Sequence, residues 1–158
     1  MAGQTGGAAG ALSEYVLSFL AMGVLVILSA FFSGSETALF SLTGYERLHL
    51  QERGGRLGRL AERLLRDPGY LLLVILFSNL AVNVLVFSIS SVVAYRLAAG
   101  RHMVAAGAVS VATLLFLVLF GEMLPKATAY FMRVPLAKFA AGPLFTIGVV
   151  LRPVMNLM

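Results

Sequence analysis

Two acidic residues close long apolar runs in this chain. Glu36 ends the stretch Phe31-Phe32-Ser33-Gly34-Ser35-Glu36-Thr37-Ala38-Leu39, and Glu122 lies in Phe120-Gly121-Glu122-Met123-Leu124-Pro125-Lys126. A third apolar run has no charge but carries Asn79 and Asn83, four residues apart and so on one face of a helix. Ser33, Glu36 and Thr37 share a helical face in the same way. Pro125 has no N–H to give to the carbonyl of Gly121 four residues back, which leaves an oxygen beside the Glu122 carboxylate. Gly34 weakens its helix by about 1 kcal/mol relative to alanine, and a break there would expose further carbonyls.

These groups are carboxylates, hydroxyls, amides and backbone carbonyls. Cysteine is absent, and His49 and His102 lie in loops. Such a donor set suits a hard cation such as Mg²⁺ or Ca²⁺ and argues against Zn²⁺ or Cu⁺. Two carboxylates would neutralise one divalent ion, and an ion that must leave again is held only moderately. Each cluster also has a structural reading. The asparagines suit interhelical hydrogen bonding, the serines can bond back to their own helix, Gly34 suits close packing, and Glu122 can pair with Lys126. Convergence of three clusters favours ligation. No nucleophile–base pair is present, so the chain reads as no enzyme.

Charged residues inside apolar runs matter because this composition belongs in a bilayer. Of 158 residues, 59% are hydrophobic and 12% charged, about half the charged share of a soluble domain. A hydrocarbon core of about 30 Å needs about 20 apolar helical residues. Residues 15–35, 70–95 and 103–121 meet that without a charge. A fourth run, 139–151, contains Pro143 and is short for a span, so it reads as a juxtamembrane helix between Lys138 and Arg152. The expected fold is an all-α membrane protein. A disordered tail occupies residues 1–11, a three-span domain residues 12–135, and a juxtamembrane helix residues 136–158.

The net charge of +5 is read as topology, not as nucleic-acid binding. Arg47, Arg53, Arg56, Arg59, Arg63 and Arg66 crowd a loop over about 43–68, where leucines recur near helical spacing. This predicts a basic amphipathic helix or helix pair, broken at Gly54 and Gly55, on the cytoplasmic face and in contact with membrane lipid. The N-terminus is then outside and the C-terminus inside the cell's inner (plasma) membrane.

The three motifs, in this order on three spans, resemble the CorC / cyclin-M family of magnesium transport proteins over residues 12 to 155. The resemblance implies a homodimer of three-helix transmembrane domains, followed by a juxtamembrane helix and by cytosolic CBS domains that this chain lacks. It implies Mg²⁺ efflux, coupled in some accounts to Na⁺. Its ion site carries over onto Ser33, Asn79, Asn83, Gly121 and Glu122, with Glu36 as a further ligand and Gly34 and Pro125 shaping the backbone. The alternative is a membrane anchor that binds Mg²⁺ without transporting it.

The orientation is testable because the chain has no cysteine of its own. A cysteine placed near Gly55 is expected to resist an impermeant thiol reagent in intact cells and to label once the membrane is opened. Labelling from outside would reverse the topology.

Overall fold

A computed structural model describes residues 4–155, and these form helices joined by short turns. Helix α1 spans Gln4–Phe40, α2 Gly44–Arg53, α3 Gly55–Leu64, α4 Pro68–Ala99 and α5 Met103–Phe116. A π-helical segment, Leu117–Met123, joins α5 to α6 (Leu124–Phe131), and α7 covers Arg133–Met155. Of the stretch expected as a disordered tail, residues 4–11 belong to α1, while 1–3 lie outside the described residues.

Four helical stretches are long and apolar enough to cross a membrane: Ser13–Phe40, Pro68–Ala99, Met103–Phe131 and Arg133–Arg152. The apolar run 139–151 lies inside α7, which begins at Arg133 and has 23 residues, so Lys138 and Arg152 do not bound the helix. Lys138 was read as its boundary, yet a lysine stem can lie along apolar surface with its ammonium at the rim, so the helix continues past it. Pro135 falls in the first turn of α7, where a missing N–H costs nothing.

Helix α1 packs along α4, the π-helical segment, α6 and α7, and α4 also packs on α5. Two apolar clusters result. The larger joins Phe32 and Leu39 of α1, Ala61 of α3, Leu71, Ile75 and Val82 of α4, and Ala137, Ala140, Ala141 and Leu144 of α7. The smaller joins Met22 and Val26 of α1 to Val86 of α4 and Leu117. The polar residues of interest lie between them.

Of the two readings of Gly34, a break in the first helix or close packing, the break does not occur, since α1 runs unbroken to Phe40. A methyl group at Gly34 would lie 3.6 Å from Leu136 Cδ2 and 3.6 Å from Pro125 Cβ, so the glycine serves close packing against α6 and α7. One helical glycine costs little when neighbours on both sides fill the space beside it. The irregularity lies in the third apolar stretch instead. The N–H of Leu124 bonds the carbonyl of Leu119, five residues back, and Pro125 follows directly.

The basic loop forms the expected helix pair. Its break falls at Gly54, which caps α2, and Gly55, which adopts φ +67°. A Cβ at Gly58 would come 2.5 Å from the carbonyl oxygen of Leu50, so only glycine lets α3 approach α2 this closely. Arg47 clamps the pair from α2, with Nε and Nη2 each 3.0 Å from the Glu62 carboxylate, which holds the guanidinium above its ordinary pKa. The Thr43 hydroxyl accepts from the Glu46 N–H, and the Glu46 carboxylate accepts from the Thr43 N–H at 2.8 Å. Arg133 Nε also donates to Glu46 at 2.9 Å and ties α2 to α7.

The Thr43 backbone N–H, then its hydroxyl, then Arg133 hold the Glu46 carboxyl below its ordinary value of 4.5. A depressed carboxylate contributes stability above its unfolded pKa and loses it as pH falls through the folded pKa. Thermal melts in detergent are therefore expected to decline more steeply below pH 4.5 in the parent than in Glu46→Gln, which starts from a lower melting temperature at neutral pH. Parallel curves would remove Glu46 from the stability of this hairpin.

Candidate functional site

Eleven residues, or about 16 Å at the helical rise, separate Ser29 from the end of α1 at Phe40. The same interval separates Asn79 from Pro68 at the start of α4. Both residues thus lie well inside helices long and apolar enough to cross a membrane, whose hydrocarbon core offers no water to a polar side chain. The chain answers by collecting such groups at one point.

Ser29 is fully buried. Its Oγ lies 3.0 Å from Asn79 Oδ1 and 2.8 Å from Asn83 Oδ1. Asn83 Nδ2 donates to Glu122 Oε1 at 3.2 Å. That bond orients the Asn83 amide: with nitrogen toward the carboxylate, its oxygen must face Ser29. A hydroxyl has one proton, so it satisfies one of the two amide oxygens at a time. Three oxygens thus converge, with a carboxylate one amide away. Such a cluster offers excess electron density to a cation.

The backbone of the third stretch makes the approach possible. Gly121 is buried against α1, and a Cβ there would stand 3.1 Å from Ser29 Oγ and 3.1 Å from Leu117 Cδ1. The π-helical turn widens the helix at Gly121 and Glu122, a distortion often found where side chains must be re-aimed. Ser33, one turn below Ser29, places its Oγ 3.4 Å from the backbone oxygen of Glu122, a long contact.

Of the residues read from the sequence, Ser33, Asn79, Asn83, Gly121 and Glu122 are therefore neighbours. Glu36 is not among them. Its carboxylate pairs with Lys126 at 3.6 Å, at the outer edge of the bundle. The Glu122–Lys126 pair that the spacing allows as a structural alternative gives way to Glu36–Lys126, and Glu122 meets Asn83. Ser35 bonds back to the Phe31 carbonyl at 2.5 Å, the structural alternative for that residue. Among the described residues no three of His, Asp and Glu come together where they could hold a metal ion. An ion held here would depend mainly on neutral oxygens.

Ser29 was missed in the sequence. It precedes Ser33 by four residues on the face that continues to Thr37, and that spacing was the available signal.

The surroundings are unequal on the two sides. Toward the N-terminal half of α1, Met22, Val26, Val86 and Leu117 form a dry layer. Met22, Val26 and Val86 also line a cleft of about 370 Å³, whose walls include Phe19, Phe116 and Thr113. In the other direction Ser33, Thr37 and Glu36 continue along α1 to the charged end of the bundle.

A family model described as the cyclin M transmembrane N-terminal domain matches residues 20–158. The chain is similar to the UPF0053 inner membrane protein YfjD of Escherichia coli, 37% identical over 103 residues, which are 65% of this chain and 23% of that protein. It is also similar to a UPF0053 protein of Haemophilus influenzae, 34% identical over 141 residues, 89% of this chain and 33% of that protein. The chain thus spans a third or less of the length of these relatives. With its apolar helices and the match over residues 20–158, this integral membrane protein belongs to the cyclin M transmembrane domain family.

Proposed function

We propose that this chain is the membrane domain of a divalent-cation transporter with Mg²⁺ as its substrate, held at Ser29, Ser33, Asn79, Asn83, Gly121 and Glu122. The observation that carries this reading is the convergence of the Ser29 hydroxyl with two amide oxygens beside Glu122, about 16 Å inside α1. Purely structural glue would pair each acceptor with its own donor. One carboxylate among neutral oxygens binds an ion without trapping it, as passage demands. Glu36, engaged by Lys126, acts at the mouth of the path and not as a ligand of the inner site.

The polar stripe below the site and the dry layer above it favour access from the basic-hairpin side. With that hairpin cytoplasmic, the site loads from inside and the direction is efflux, with Na⁺ as the candidate coupling ion. Helix α7 then lies along the boundary and three helices span. This is supported by both ends of α7 meeting residues from the same end of the bundle: Arg133 meets Glu46, and the Gly148 carbonyl accepts from Tyr70 in the first turn of α4. A homodimer would cover the exposed small residues Ala105, Ala108 and Ala112 of α5. The greater length of the relatives leaves room for the cytosolic CBS domains that the resemblance implies.

The alternative is an anchor that binds Mg²⁺ without moving it. Titration calorimetry and flux into proteoliposomes separate the two. Asn83→Ala is expected to weaken Mg²⁺ binding at least about tenfold, the scale of losing even an outer partner of a metal site, and to slow flux in parallel. Glu122→Gln is expected to do the same, with the oligomer intact. Binding by the parent without flux would favour the anchor; unchanged binding in both variants would make the cluster packing alone. Gly121→Ala is expected to cost about 1–3 kcal/mol by overpacking against Ser29, read as a lower melting temperature.

A further inference from the structure

The basic hairpin holds arginines that nothing in the fold uses. On α3, Arg56, Arg59 and Arg63 follow at intervals of three and four, so they occupy an arc of about 60°. Arg66 follows in the next turn. All four are exposed, and none has an ion pair or a side-chain hydrogen bond. Of the acids nearby, Glu62 is held by Arg47, Glu46 by Thr43 and Arg133, and Asp67 caps the N–H of Tyr70, while Glu52 is exposed on α2.

The opposite side of α3 is committed to the protein. Ala61 packs within the cluster that includes Ala137, Ala140, Ala141 and Leu144 of α7, and Gly58 abuts α2. The arginine stripe therefore points away from every packed neighbour. It also cannot leave the membrane boundary. Three residues join α1 to α2 and three join α3 to α4, a reach of about 11 Å at most on either side. That is close to the screening length of about 8 Å at physiological salt, so these charges act on whatever covers the adjacent headgroup layer. Leu57, half exposed beside Arg56, adds apolar contact of the kind an interfacial helix uses.

We propose that Arg56, Arg59, Arg63 and Arg66 form a docking surface for anionic phospholipid headgroups, which fixes the hairpin, and with it the α7 packed on the other side of α3, at the bilayer boundary. Four guanidiniums on one line suit several headgroup phosphates at once, each arginine favouring an anionic surface by about fivefold. This reading depends on the membrane embedding of the chain and not on Mg²⁺ transport.

The test is thermal stability of the purified chain in mixed micelles containing dioleoyl phosphatidylglycerol or dioleoyl phosphatidylcholine. The parent is expected to reach half-maximal stabilisation at about a tenfold lower concentration of the anionic lipid than of the zwitterionic one. In R56Q/R59Q/R63Q/R66Q that preference is expected to vanish while stabilisation by phosphatidylcholine stays unchanged. Should the quadruple variant fail to fold, R56Q/R59Q and R63Q/R66Q are each expected to lose part of the preference. Equal response of the parent to both lipids would overturn the proposal and leave the stripe to an acidic polypeptide. A preference retained in every variant would overturn it too. So would equal stabilisation by soluble glycerol phosphate, which would make the stripe a general anion site.

Discussion

A bilayer interior supplies no water to a side-chain amide, hydroxyl or carboxylate. Ser29, Asn79, Asn83 and Glu122 come from three helices, and each would carry a desolvation penalty alone. They meet those penalties through one another, with the Asn83 amide as the hinge: its nitrogen faces Glu122 and its oxygen faces Ser29. Removing Asn83 would take a partner from both Ser29 and Glu122. The helices around this cluster must approach closely and hold still, and much of the remaining fold can be understood as meeting that demand. Among the described residues, no buried side-chain nitrogen or oxygen lacks a partner.

Glycines make the approach possible, each in its own way. At Gly121 the absent side chain admits Ser29, while the π-helical turn rotates Glu122 toward α4. At Gly34 it lets α1 lie against Pro125 and Leu136 without bending. At Gly58 it seats α3 on the Leu50 carbonyl. Above the polar cluster the packing is mainly apolar, with a buried Ser90–Thr113 hydrogen bond, and below it α1 stays polar down to the Glu36–Lys126 pair. The bundle therefore has a mainly apolar end and a charged end, and the basic hairpin packs at the charged one with its own clamps.

Much of this was legible in the residues. Uninterrupted apolar runs announced the spanning helices because hydrocarbon tolerates little else. Asn79 and Asn83 stood out because amides are rare there and their four-residue spacing fixes a common face. Gly54 and Gly55 marked the hairpin break through their conformational freedom. Ser29 did not stand out, since an isolated serine in an apolar helix usually bonds its own backbone, as Ser35 does. The last helix starts at Arg133, three residues before the expected 136, because Pro135 is tolerated in a first turn and so does not delay the start.

Local chemistry thus determined which segments are helical, which are apolar and which side chains are out of place. Only the tertiary structure decided the pairings. Lys126 lies four residues from Glu122 along its own helix, an interval that favours their pairing, yet it meets Glu36 from α1 while Glu122 turns to Asn83. Gly34 was suited to a break, yet the distortion fell at Leu117–Met123. The physical reason is the same in both cases. Spacing along one helix sets which residues share a face, but the partner each finds depends on the rotation and depth of the neighbouring helix, and those are set by packing over the whole bundle.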